Sequence, residues 1–502
     1  MKKILTLILD GFGMKEDVYG NAVKNAGMTN FINIWSEYPH ALLNCNENSV
    51  GLPKNEPINS ELAHKTIGSG KIVKSKYQII KEAINDKTFS KNKKVIDMLN
   101  KIKENKNNTH IIMIASESLL NSDYETLKYI LKLLEENNID NIYLDLITDG
   151  EDSSRQYSLS FFKNNPELID DYKVSTICGK YYAMDRTKDY NKTQMYYNLL
   201  VNAKGVNTPD IKRIIKVCYD KKITDAYLPP IKTPNYIKLN EEDNIIILNY
   251  GKDSSYQIAQ ALVSPVFEEF ETIPLRLNIY SLFEIDKKLN IINLFEEEKE
   301  EETFSEYIGK LGLSQARITE EIKKDSLIYY FDGSRNLDIE NCENFILKTN
   351  KEDYLEKKPE MKALNIARLV VKCMENDYDF IVANFANPDI IGHTGNFQAT
   401  INSLQAIDVC LGKIMEVANE NFYKVIILGS HANCDTIIDR DNNIVTKNTL
   451  SKVPFIILDK KVKLSNGDLP MVMPTILKYM DISLPKTMQQ TGDLFENTKE
   501  KE

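Results

Sequence analysis

Three apolar runs, scattered along a chain of 502 residues, each end on a polar cluster. Ile4-Leu5-Thr6-Leu7-Ile8-Leu9 runs into Asp10-Gly11. Phe380-Ile381-Val382-Ala383-Asn384 leads to Asn387-Pro388-Asp389-Ile390-Ile391-Gly392-His393. Val425-Ile426-Ile427-Leu428 runs into Gly429-Ser430-His431. Short apolar runs of this kind read as buried strands. In an open α/β sheet the carboxyl ends of the strands share one crevice, so these distant residues are expected to converge there. A fourth polar piece, Asn59-Ser60-Glu61, reads as a loop. Carboxylate, imidazole and hydroxyl together suit a divalent cation and a phosphorylated group.

The rest of the chain fits the same architecture. Apolar runs at Thr109–Ala115, Asn141–Thr148, Asn244–Asn249, Leu327–Phe331 and Pro454–Leu458 read as strands. Between them, Tyr124–Glu136, Ser254–Leu262, Met361–Glu375 and Gln398–Ala418 carry helical spacing. This alternation predicts α/β with largely parallel sheets. The length exceeds what one core usually supports, which argues for two domains. Glu296–Glu302 is a charge run that reads as a solvated linker, and Lys74-Ser75-Lys76 is a second hinge candidate. If the first strand and the last cluster share a sheet, the segment between these linkers is an inserted domain. The division is then 1–75 with 298–502 around an insertion at 76–297. The C-terminal Thr498–Glu502 reads as frayed.

Composition narrows the function classes. The chain is 42% hydrophobic and 27% charged, ordinary for a globular protein, and its net charge of −10 argues against nucleic acid as a main partner. The first apolar run is short and stopped by Asp10, which fits a first strand better than a secretory signal. No stretch approaches the roughly 20 apolar residues of a membrane span. The seven cysteines are dispersed, with no Cys-x-x-Cys pair, as expected of free thiols in the cytoplasm.

An ordered series of motifs resembles the cofactor-independent phosphoglycerate mutases of the alkaline phosphatase superfamily. The series runs through Asp10-Gly11-Phe12-Gly13, Gly20-Asn21-Ala22, Val50-Gly51-Leu52-Pro53, Asn59-Ser60-Glu61-Leu62-Ala63-His64 and Ile67-Gly68-Ser69-Gly70. It continues with Tyr181-Tyr182-Ala183-Met184-Asp185-Arg186, Asn387–Asn396 and Pro474-Thr475-Ile476-Leu477. The resemblance implies an alkaline-phosphatase-like parallel-sheet domain interrupted by a second, substrate-binding α/β domain. It also implies up to two Mn²⁺ ions, a phosphoserine intermediate, and a monomer acting on a small phosphorylated metabolite. Carried over residue by residue, Ser60 is the nucleophile, and Asp10, Ser60, Asp389, His393 and His431 are metal ligands. Asn59 would donate to phosphoryl oxygens, and His64 reads as a core or supporting residue.

The departures from the family pattern are as informative as the matches. Ser430 stands where the family has an aspartate ligand, and Asn448 where it has a histidine, so each metal position loses one strong donor. Asp435 could partly compensate, although a solvated surface carboxylate is the plainer reading. In the substrate domain the family's Asp-Gly-Arg-Asp reads Asp149-Gly150-Glu151-Asp152, an anion in place of a cation. An arginine is replaced by Lys180, Arg186 is kept, and two more arginines give way to Gly251 and Ser254, where Lys252 between them could repair part of the charge. Asn121 aligns with a substrate histidine, and Lys323, with Lys324 as its rival, aligns with the lysine between the two domains. The expected substrate contacts are therefore Asp152, Lys180, Arg186 and Lys323. Three readings follow: weak or altered phosphoryl transfer through Ser60, a phosphatase or phosphomutase for a less anionic substrate, and a non-catalytic relative that binds a ligand or partner.

Overall fold

A computed structural model describes residues 2–349 and 355–496, so Thr498–Glu502 lies outside the described residues. The chain divides into two compact units, Met1–Ser75 with Glu298–Glu502, and Lys76–Glu297.

The first unit is built on an eight-stranded sheet. In spatial order its strands are Cys342–Leu347, Gln315–Glu320, Phe380–Phe385, Ile4–Leu9, Lys424–Gly429, Val453–Ile457, His40–Asn44 and Gly467–Asp468. The first five are parallel, and Val453–Ile457 runs antiparallel to both its neighbours. Leu9 pairs with Phe385 on one side and with Gly429 on the other. Three strands therefore end level with one another, and the residues after them emerge at one edge. On one face Leu5, Leu7, Leu9, Ile381, Ala383, Phe385 and Ile427 pack against the helices Ala363–Glu375 and Phe397–Glu420. The alternation along each strand sends Thr6, Ile8, Arg317, Thr319 and Asn384 to the opposite face.

The second unit has its own eight-stranded sheet centred on Thr109–Ala115, flanked by Asn244–Ile247 and Ile142–Thr148. All its pairings are parallel except that of Lys173–Gly179 with Ile231–Lys232. Tyr124–Glu136 is a helix capped by Asp123, whose carboxylate accepts from the Glu125 and Thr126 amides. Leu127, Ile130, Leu131 and Leu134 lie on its buried stripe, at helical spacing.

Three sequence readings are revised. Leu327–Phe331 is no strand: Ser326–Tyr330 forms a wide helical turn. Ser326, Leu327 and Tyr330 are buried in it, with Phe331 buried just beyond; Leu327, Tyr330 and Phe331 have the spacing of a helix face, and a short apolar run does not separate the two conformations. The loop expected at Ser60 is the first turn of the helix Ser60–Ser69, with Asn59 as its N-cap. The acidic run is not wholly solvated, since Glu300 is 7% exposed and pairs with Lys71 at 2.7 Å.

Candidate functional site

The polar residues at the carboxyl edge of the first unit's sheet form one buried cluster. Asp10 directly follows its strand and is fully buried. Gly11 lets the chain turn there. Its φ is +76°, and a Cβ at this position would lie 2.7 Å from the Asp389 Cα. Only glycine meets both demands without strain. Its carbonyl also accepts from the Asn433 and Cys434 amides, which ties the loop after Ser430 and His431 to the loop after Asp10. Asp389 and His393 lie one turn apart, on the short helix Asn387–Gly392 and its C-cap.

Ser60 opens its helix because the Asn59 side-chain oxygen Oδ1 accepts from the Leu62 amide at 2.9 Å. The Ser60 hydroxyl donates to Asp10, with Oδ2 at 3.0 Å. His64, one turn along, places Nδ1 2.7 Å from the Ser60 carbonyl and 3.4 Å from its Oγ. Burial holds the His64 pKa below the ordinary value, so the neutral ring's Nδ1–H donates to that carbonyl. The Ser326 hydroxyl lies 3.4 Å from Ser60 Oγ. No sequence pattern announced Ser326, because it sits on the turn that reads as a strand.

The Lys323 ammonium lies between the two carboxylates, 2.8 Å from Asp10 Oδ2 and 2.5 Å from Asp389 Oδ2. His431 bridges the same pair: Nε2 is 2.7 Å from Asp389 Oδ1 and Nδ1 is 3.2 Å from Asp10 Oδ1. His393 Nε2 is 3.1 Å from Asp389 Oδ1, while its Nδ1 faces the Thr446 carbonyl at 2.6 Å. The Ser430 hydroxyl donates to Asp10 and lies 3.0 Å from His431 Nδ1.

These contacts fix the electrostatics. Burial would raise both carboxyl pKa values, but Lys323 and the histidines hold Asp10 and Asp389 well below the usual range. Burial would lower the cations, yet Asp10 and Asp389 push Lys323 up to about 12, and Asp389 with Asp10 pushes His431 up to about 9.

Asp389, His393 and His431 each offer a ligand atom, all within 4.8 Å of one another. One carboxylate and two imidazoles that can present neutral nitrogens fit a divalent cation. His431 reaches both carboxylates and completes the Asp389 set. Asn448 makes a different contact: its amide donates to the Ile58 carbonyl at 3.0 Å. Asp435 is buried, not solvated, and is held by the hydroxyls of Thr449, Ser451 and Thr436.

In the second unit, the residues expected to meet the substrate are engaged with one another. The buried Lys180 ammonium lies 3.0 Å from Asp149, 3.2 Å from Glu151 and 2.7 Å from Asp152. Arg186 reaches Glu151 at 3.5 Å, and the Asn121 amide donates to Asp152 at 2.8 Å. Burial would lower the Lys180 pKa, but the three carboxylates raise it well above the ordinary value. Glu151 therefore does more than remove a positive charge. It engages both Lys180 and Arg186. Lys252 begins the helix Lys252–Val263.

A family model described as the Metalloenzyme superfamily matches residues 2–484. The 2,3-bisphosphoglycerate-independent phosphoglycerate mutase of Campylobacter jejuni serotype O:2 is 33% identical over 495 residues, covering 97% of this chain and 99% of that protein. The protein of the same name from Mycoplasmoides gallisepticum is 32% identical over 501 residues, covering 98% and 99%. Leishmania mexicana phosphoglycerate mutase, solved at low cobalt concentration, superposes with a TM-score of 0.90 at 20% identity over 98% of this chain and 97% of that one. That likeness gives the fold: α/β, of the alkaline-phosphatase-like type.

Proposed function

Because this chain belongs to the 2,3-bisphosphoglycerate-independent phosphoglycerate mutase family within the Metalloenzyme superfamily, we propose that it transfers phosphoryl groups through Ser60, on a small metabolite less anionic than phosphoglycerate. The observation that carries the reading is the Ser60 hydroxyl, aimed at Asp10 inside a cluster with Lys323, His431 and Asp389.

Asp10 orients the serine. Its depressed pKa makes it a poor proton acceptor, so it positions Oγ by accepting its hydrogen bond. In the forward half-reaction Oγ forms a bond to phosphorus, the bond from phosphorus to the substrate oxygen breaks, and the serine proton passes to the departing alcohol or to solvent. The second half returns the phosphoryl group to an alcohol or to water. Lys323 supplies fixed positive charge beside the reacting oxygen. A divalent ion held by Asp389, His393 and His431, Mn²⁺ by analogy with the family, would add positive charge to stabilise the phosphoryl oxygens. His64 fixes the first helical turn from which Ser60 projects.

The preference for a less anionic substrate rests on the second unit. Its Lys180 and Arg186 face Asp149, Glu151 and Asp152, so a substrate carboxylate or phosphate must displace internal carboxylates to reach them. Water as the acceptor would make the protein a phosphatase, and the same replacements favour that second reading. No helix among the described residues is long and apolar enough to cross a membrane, and a cytoplasmic, monomeric enzyme fits this function.

The test is a screen of phosphorylated metabolites with Mn²⁺ present, monitoring both inorganic phosphate release and isomer formation. Turnover of any substrate should vanish in Ser60→Ala. Activity that survives that substitution would refute the serine's role.

A further inference from the structure

We propose that Ser326 is a further catalytic residue: its hydroxyl donates to Ser60 Oγ and favours the step in which the phosphoserine breaks down. The inference deepens the phosphoryl-transfer reading and rests on it. Its support is a proton count. The Ser60 hydroxyl has one proton, and Asp10 accepts it at 3.0 Å. His64 directs its Nδ1 proton to the Ser60 carbonyl at 2.7 Å. Ser326 Oγ lies 3.4 Å from Ser60 Oγ, and its hydroxyl has no other hydrogen-bond partner among the described residues. With the Ser60 proton committed to Asp10, Ser326 is the donor of the pair. The separation is long for two hydroxyls, as catalytic contacts often are before substrate arrives.

The backbone brings the two hydroxyls together. Ser326 opens the wide turn Ser326–Tyr330, in which the Phe331 amide donates back to the Ser326 carbonyl at 3.2 Å. Turns of this width are rare and occur frequently at functional sites. Both ends of the segment are pinned to the surroundings of Ser60. Lys323, shortly before Ser326, places its ammonium 2.8 Å from Asp10 Oδ2. Phe331, at the far end, lays its carbonyl against Gly68 on the helix Ser60–Ser69, where a Cβ would lie 2.0 Å from that oxygen. Ser326 itself is 6% exposed, so water does not compete freely for its hydroxyl.

The donor matters most once Ser60 carries phosphate. The serine then has no proton to give, and the Asp10 carboxylate can only accept. In the breakdown step the acceptor oxygen bonds to phosphorus, and the bond from phosphorus to Ser60 Oγ breaks with its electron pair left on Oγ. The proton released by the acceptor ends on Oγ or in solvent, and Ser326 keeps its own. A bridging ester oxygen accepts hydrogen bonds poorly, whereas an oxygen gathering negative charge accepts them well. Ser326 therefore stabilises the transition state more than the phosphoserine. In the unreacted protein the same donor already meets a serine hydroxyl, so formation of the phosphoserine gains less.

Rapid-quench kinetics of the full chain with Mn²⁺ and p-nitrophenyl phosphate tests this. The first turnover of nitrophenolate release reads formation of the phosphoserine, and the steady state reads its hydrolysis. Ser326→Ala should slow the steady state about 100-fold. The first turnover should change far less, and phosphate should accumulate on Ser60 in acid-quenched samples. Ser326→Thr, which keeps the hydroxyl, should recover most of the steady-state rate. An unchanged steady state in Ser326→Ala would overturn the proposal, as would a first turnover and steady state that fall together, the mark of a merely structural role. Nitrophenolate release with no phosphate on Ser60 in any variant defeats the serine's role instead. A crystal structure of the unreacted protein reads the contact apart from turnover: Ser326 Oγ on Ser60 Oγ upholds it, and a Ser326 hydroxyl turned onto another acceptor overturns it.

Discussion

Replacing Lys180 by methionine should destabilise the second unit severely. The ammonium lies 2.7 to 3.2 Å from Asp152, Asp149 and Glu151, and its side chain is 4% exposed. Asp149 is fully buried, whereas Glu151 and Asp152 keep 33% and 26% of their side-chain surface and can hydrate in part. Summing three Coulomb energies would overcount, because the two partly exposed acids recover solvation. The governing quantity is the cost of leaving a buried charge without its partner, about 3–5 kcal/mol. For a unit of this size that is a fall in melting temperature of roughly 6–20 °C. Calorimetry gives the magnitude, and hydrogen exchange in the strand Ile142–Thr148 assigns the loss to this unit. Lys180→Met with Glu151→Gln should recover part of it. A loss below about 1 kcal/mol would refute the reasoning, because Lys180 would then not be held by these acids and would be available to an anionic substrate.

Other consequences follow from the first unit. Burial raises the Glu320 carboxyl to about 7 from its ordinary 4.5. The folded state therefore carries the cost of ionising it above pH 7, and that cost disappears as pH falls toward 4.5. Glu320→Gln should stabilise the protein at pH 8 by on the order of 3 kcal/mol and confer nothing at pH 4.5, as thermal melts at the two values will read. Equal effects at both would contradict the assignment. Gly11→Ala should cost at least ~1–3 kcal/mol from overpacking and weaken Mn²⁺ binding, because the new methyl meets the Asp389 backbone; dialysis showing unchanged affinity would mean the loop accommodates it. Asn448→His, which restores the family's ligand type, should tighten Mn²⁺ binding, and unchanged affinity in titration would show that Asn448 does not stand at the metal.

Much of this was legible in the sequence because strand ends carry the chemistry. The runs before Asp10, Asn384 and Ser430 have the apolar continuity of fully buried parallel strands, and their pairing sets the polar residues side by side. The short spacing between Asp389 and His393 reads directly as one helical turn. Position and charge state were harder. Asp435 looks like a surface residue until the hydroxyls of Thr449 and Ser451, from a later loop, join that of its neighbour Thr436 around it. Glu151 in place of arginine reads as repulsion toward a substrate, yet its main effect is to tie up Lys180 and Arg186, which only the folded geometry reveals. Lys323 was expected among the substrate contacts, and its place between two carboxylates depends on contacts more than sixty residues apart. The turn at Ser326–Tyr330 was hidden because a short apolar run looks alike in a strand and in a helix.

The central claim is that Ser60 accepts a phosphoryl group. Mass spectrometry of the protein, quenched in acid after incubation with Mn²⁺ and a turned-over phosphorylated metabolite, should find phosphate on the peptide containing Ser60 and on no other serine. A substrate that turns over while Ser60 stays unmodified in rapidly quenched samples would contradict the account.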